Sequence, residues 1–99
     1  DFSFDEIFSR QVKGLCNQGD ILVCISTSGK SQNILNAIKQ AKSMNVEVIC
    51  LLGNSGGSCN EICENKIVID SHITAIIQEI HIMIGHLLID IVEKKLVVN

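Results

Sequence analysis

The amino-acid sequence predicts an α/β fold, a parallel sheet flanked by helices, and three observations carry that prediction. Ile21-Leu22-Val23-Cys24-Ile25 is a short, unbroken apolar run rich in β-branched side chains, the pattern of a strand buried on both faces. Residues 31–44 then place Ile34, Leu35, Ala37, Ile38, Ala41 and Met44 at spacings of three and four, an amphipathic helix. A second apolar run at residues 46–52 follows at once, so strand, helix and strand alternate as a right-handed parallel crossover requires.

The remaining elements fall in order around this unit. Ser3-Phe4-Asp5-Glu6 has the S-x-x-E pattern of a capping box, so a helix is expected from near Phe4. Phe4, Ile7, Phe8, Val12 and Leu15 give it an apolar stripe, and Asn17-Gln18-Gly19-Asp20 ends it. Asn45 is placed to close the second helix as a C-cap. Residues 53–58, with three glycines and two serines, read as a flexible loop; a helical turn is expected within residues 59–65 and a third strand at residues 66–70. The last helix is expected over residues 74–95. Its apolar residues cover far more than one face, so it must pack on several sides, against helices outside this chain or in other subunits.

Ninety-nine residues allow one small domain at most. Three strands are few for a parallel sheet, and the chain opens at a helix N-cap without a preceding strand. Residues 1–99 are therefore expected to be the C-terminal part of a single larger domain. The net charge of −3, with Lys and Arg scattered, offers no basic face for nucleic acid. The first five residues lack the basic start and apolar core of a signal peptide. The most apolar stretch, residues 82–92, is broken by His86 and Asp90 and reads as too short for a membrane span, so a cytoplasmic location is expected. Five cysteines, two of them inside buried strands, read as reduced structural thiols; Cys59 and Cys63 have no second pair at zinc-finger spacing.

Chemistry concentrates in two places. Ser26-Thr27-Ser28-Gly29-Lys30-Ser31 joins the first strand to its helix, at the carboxyl edge of the sheet, where α/β proteins bind ligands. Four hydroxyls beside the unpaired N–H groups of a helix N-terminus suit an anion, most often a phosphate. A nucleotide-binding P-loop would need glycine at position 24, where the chain has Cys24. The plainer alternative is a solvated turn in which Ser31 caps the helix. The second place is the last helix, whose polar members are Gln78, Glu79, His81, His86 and Asp90. Gln78 and His86 stand about 12 Å apart along the axis and about 80° around it, so one helix does not comfortably chelate a metal between them unless both side chains reach inward from opposite ends, and the zinc signal from spacing alone is weak. A histidine in such a helix is either held by a core carbonyl or free for proton transfer.

Three segments give these pieces a common context: residues 4–12, the run Ile25-Ser26-Thr27-Ser28-Gly29-Lys30-Ser31, and Ile77-Gln78-Glu79-Ile80-His81-Ile82 followed by Gly85-His86. With them the chain resembles the SIS (sugar isomerase) family, and within it the isomerases of seven-carbon sugar phosphates. The resemblance implies a flavodoxin-like parallel sheet and an aldose–ketose isomerisation of sedoheptulose 7-phosphate to glycero-manno-heptose 7-phosphate through an enediolate, feeding heptose synthesis for the bacterial envelope. It implies that Ser26, Thr27, Ser28 and Ser31 hold the sugar phosphate, with Asp1 and Gln78 in the same pocket. His86 becomes the acid/base, and Gln78 and His86 contribute to a zinc ion. A glutamate and a further histidine of the family's site lie on an upstream helix outside these residues, so the 99 residues alone are expected to be inactive. The resemblance also implies a homotetramer, with no nucleic-acid or membrane partner. Lys30 stands where asparagine is usual in the family, and Ile76 where arginine is common. Other family members are non-catalytic modules that sense a sugar phosphate or mediate assembly, which is the competing expectation.

Overall fold

The computed structural model describes residues 3–98. A 3₁₀ turn at Phe4–Glu6 leads into α1 (Ile7–Leu15), followed by β1 (Ile21–Ser26), α2 (Gln32–Ser43), β2 (Glu47–Gly53), a short α3 (Cys59–Ile62), β3 (Asn65–Ile69) and α4 (Thr74–Val98). The three strands form one parallel sheet in the order β1-β2-β3, with Cys24 opposite Cys50 and Ser26 opposite Leu52. The predicted fold class stands, and each expected element is present within a few residues.

Alternation along the strands decides which side chains meet the helices. Leu22 and Cys24 of β1 and Val48, Cys50 and Leu52 of β2 face α1 and α2, where they pack with Val12, Ala37, Ile38 and Ala41. The Schellman closure of α2 forms as the sequence predicts. Asn45 takes φ 58°, its N–H donates to Lys42 O, and the Val46 N–H donates to Ala41 O at 2.9 Å.

Four expectations need correction. The capping box at Ser3 does not close: the Glu6 N–H donates to Ser3 O, the Ser3 hydroxyl makes no cap bond, and the first turn tightens into 3₁₀ geometry. β1 is covered on one face only. Ile21, Val23 and Ile25 remain 62%, 44% and 52% exposed, because the helices that cover the Leu22 and Cys24 face have no counterpart over this end of the sheet. Beside them an apolar groove of about 380 Å³ runs along the outer edge of β1, lined by Phe8, Leu15, Val23, Ile25 and Ile34. The loop at residues 53–58, expected to be flexible, is instead fastened to the serine loop, as described below. Finally, the apolar segment is not short. α4 is 25 residues long, and an 18-residue window within Thr74–Val97 reaches mean hydropathy 1.6, so the helix is long and apolar enough by length and composition to cross a membrane. The helical apolar pattern extends well beyond residues 82–92 on both sides. The start of α4 is nonetheless held on the sheet: the Ile77 side chain lies against Gly53, and His81 bonds to β2.

All five thiols are free. Cys24, Cys50, Cys59 and Cys63 share the core, with Cys16 at its margin. Burial pushes the Cys63 thiol up to about 12 and that of Cys59 to about 11. The hydrogen bond between Cys24 and Cys50 lowers the first and raises the second. Thiolates, not thiols, attack disulfide reagents. Cys24, lowered though it is, is shielded by burial like Cys50, Cys59 and Cys63, so in the native chain at pH 8 Ellman's reagent is expected to titrate one thiol rapidly, Cys16, and the other four only on denaturation. Two or more fast thiols would show that the core opens.

Candidate functional site

The carboxyl ends of the three parallel strands bring residues 26–31, 53–58 and 70–73 to one edge of the sheet. Within the first loop, Ser26 is 5% exposed and its Oγ accepts the Gly29 N–H at 3.0 Å, which folds the chain back at the turn. Ser26 Oγ also lies 3.4 Å from Ser31 Oγ. The Lys30 N–H donates to Ser28 Oγ at 3.1 Å, leaving the Lys30 side chain exposed. Ser31 occupies the N-cap position of α2, yet its side chain makes no cap bond. The plainer sequence reading, in which Ser31 closes the helix, is therefore not what the structure contains. The first-turn N–H groups of α2 keep their donor capacity, and the Ser31 hydroxyl stands beside them at the N-cap position.

The loop is held in shape from behind by the neighbouring turn. Gly29 has φ 69°, and a Cβ there would lie 1.9 Å from Gly56 O; the Cys59 N–H donates to Gly29 O at 2.9 Å. A Cβ on Gly57 would sit 2.6 Å from Gly29 C. The two glycine-containing turns thus press backbone against backbone, which only residues without a Cβ allow.

A second fastening was not visible in the sequence. Asn54, at φ 56°, joins all three loops: its N–H donates to Ser71 O at 3.1 Å, its Nδ2 donates to Thr27 O at 3.0 Å, and its Oδ1 pairs with His72 Nδ1 at 2.7 Å. Asparagine between glycine and serine reads as ordinary turn chemistry, and His72 has no periodicity to flag it. The only available signal was position, since both residues closely follow a strand at the ligand-binding edge.

The last helix separates its two histidines. His81 is 1% exposed, and because a carbonyl can only accept, its Nε2–H donates to Leu52 O at 2.8 Å. Its Nδ1 is buried with no partner among the described residues. His81 is thus the histidine satisfied by a core carbonyl, whereas His86 and Gln78 are exposed on α4. Gln78 follows Ile77, which packs on Gly53 next to Thr27 O, so the start of α4 abuts the serine loop. His86 lies about two helical turns further along. The structure brings the Ser26 and Ser31 hydroxyls together, with Thr27 and Ser28 between them in the same loop; no hydrogen bond links Gln78 or His86 to these four among the described residues. Asp1 lies outside the described residues. Among those described, no group of three or more His, Cys, Asp or Glu could hold a metal ion. Gln78 and His86 alone supply two donors, too few for zinc without ligands from elsewhere.

Comparison with known proteins gives the edge a context. A sequence profile described as the SIS domain matches residues 1–53. The chain is 46% identical over 95 residues to the phosphoheptose isomerase of a Nitratiruptor species, covering 96% of this chain and 51% of that protein. It is 49% identical over 94 residues to the phosphoheptose isomerase of Campylobacter concisus, covering 95% and 50%. Among solved structures it is similar to a phosphoheptose isomerase from Neisseria gonorrhoeae, with TM-score 0.88 and 40% identity over 91% of this chain and 51% of that one. The chain spans about half the length of the curated relatives it matches.

Proposed function

The chain belongs to the SIS domain family, and on that premise we propose that it supplies the phosphate-holding part of an aldose–ketose isomerase acting on sedoheptulose 7-phosphate. The observation that carries this reading is the serine loop itself. Its hydroxyls and the free N–H groups of α2 converge at the sheet's carboxyl edge, and the Ser31 side chain is not spent on capping. The names of the relatives supply the substrate class.

In this reading Thr27, Ser28 and Ser31 take the phosphate oxygens. Ser26 joins them: its oxygen accepts the Gly29 N–H, as that of Ser28 accepts the Lys30 N–H, and both keep a hydroxyl proton to donate. Holding the remote phosphate fixes the reacting carbons, so that binding energy lowers the barrier at the other end of the sugar. Isomerisation removes a proton from the carbon next to the carbonyl, passes through an enediolate and returns a proton to the neighbouring carbon. His86, exposed on α4, is the proton-transfer group on this chain. Asp1 and Gln78 belong to the same pocket in this proposal. So does zinc at Gln78 and His86, but the described residues do not complete a metal site, and no step is routed through one. A homotetramer is proposed as the cover for the open apolar face of β1 and for the exposed side chains of α4. A cytoplasmic location goes with it.

The test is Ser31→Ala. It removes one charge-assisted hydrogen bond to the phosphate and is expected to weaken sedoheptulose 7-phosphate binding by about tenfold, measured by calorimetry. Unchanged affinity would remove the cradle and leave the reading without support. Binding that persists without turnover in a protein completed over its relatives' length would favour a sensing module.

A further inference from the structure

The hydrogen-bond chain through Asn54 fixes more than the loops; it fixes the neutral tautomer of an exposed histidine. Thr27 O is a backbone carbonyl and can only accept, so the amide end that meets it at 3.0 Å is the NH₂ of Asn54. The other end, Oδ1, can only accept as well. His72 Nδ1, 2.7 Å away, must therefore carry the proton. In the neutral imidazole that leaves Nε2 as a lone-pair acceptor, on an exposed side chain two hydrogen bonds away from Thr27.

An acceptor has nothing to offer a phosphate dianion, but it suits a hydroxyl. We infer that His72 is a specificity-determining residue of the serine-loop site, its Nε2 accepting a hydrogen bond from a hydroxyl of the sugar chain attached to the phosphate. The inference rests on the sugar-phosphate reading and deepens it: Thr27, Ser28 and Ser31 read the anion, and His72 reads the polyol. Asn54 is the positioning residue between them, because one side chain holds the Thr27 carbonyl and the imidazole in a single register. Its left-handed backbone, at φ 56°, is a conformation that asparagine tolerates better than most residues.

Two probes separate the roles. With calorimetry on the full chain, His72→Ala is expected to weaken sedoheptulose 7-phosphate binding about five- to tenfold, the worth of one hydrogen bond, while inorganic phosphate binds as before. Ser31→Ala is expected to weaken both ligands. In the unaltered chain, the ¹⁵N resonance of His72 Nε2 should shift on adding the sugar phosphate and not on adding inorganic phosphate, with Nδ1 remaining protonated. If Ser31→Ala weakens both ligands and His72→Ala neither, the role of His72 is overturned and the cradle stands. A His72→Ala loss that is equal for both ligands makes His72 a mere support of the loop and also overturns it. If neither probe binds the unaltered chain, or Ser31→Ala changes nothing, the sugar-phosphate reading itself falls and His72 loses its role with it.

Discussion

Gly29→Ala is expected to lower stability by about 3 kcal/mol and to abolish phosphate binding. Two independent costs add. An alanine held at φ 69° pays about 1–2 kcal/mol for the left-handed conformation. Its Cβ would also meet Gly56 O at 1.9 Å, a backbone atom that cannot swing aside as a side chain tip would. Relieving that overlap means parting the two turns, which costs a further 1–3 kcal/mol or so in a packed region. It also breaks the bond from the Cys59 N–H to Gly29 O, and with it the shape of the serine loop. For a domain of this size about 3 kcal/mol corresponds to a fall in Tm of about 12–24 °C, readable by circular dichroism. Gly14→Ala is the control. Gly14 lies in α1 with nothing near its Cβ position, so alanine there should raise stability by somewhat under about 1 kcal/mol. A Gly29→Ala protein that melts and binds like the parent would show that the contact between the turns does not shape the site.

The second large effect separates chemistry from folding. In an enzyme completed over the length of its relatives, His86→Ala is expected to lower turnover by about 10²–10⁴, the usual contribution of one acid/base group. Affinity for the sugar phosphate and the melting temperature should stay near their parent values. The exposure of His86 on α4 supports this separation, since truncating it opens no cavity in the core. His81, five residues earlier, would behave in the opposite way. Its Nε2–H satisfies Leu52 O at the end of β2, so removing it would unsettle the sheet edge before it touched any chemistry. Steady-state kinetics beside a thermal melt distinguish the two. Parent-like turnover in His86→Ala would take His86 out of the mechanism.

The two histidines show how far local pattern reaches. Sequence periodicity placed both on one long helix and offered two fates, a core carbonyl or proton transfer, without assigning either. The assignment depends on how α4 is rotated over β2. Ile77 sits against Gly53, where no side chain keeps it away, and that contact turns His81 inward and leaves His86 outside. β1 failed for a related reason. Its apolar run is right for a strand with both faces covered, but whether a cover exists depends on what packs over Ile21, Val23 and Ile25.

By itself the sequence determined the order of strands and helices, the parallel sheet, the closure of α2 at Asn45 and the placing of a hydroxyl-rich turn at the ligand-binding edge. These follow from side-chain periodicity and backbone preference, which act between near neighbours along the chain. Only the tertiary structure decided that Ser31 leaves its helix uncapped, that Gly29 and Gly56 press together, and that Asn54 ties Thr27 to His72. The ties through Asn54 join residues 27 and 18 positions apart, and the meeting of the two glycine turns is as remote in the chain. The glycine contact runs through backbone atoms common to every residue type and the Asn54 ties through its side-chain amide, and nothing in the identity of a glycine or an asparagine announces which distant group it will meet.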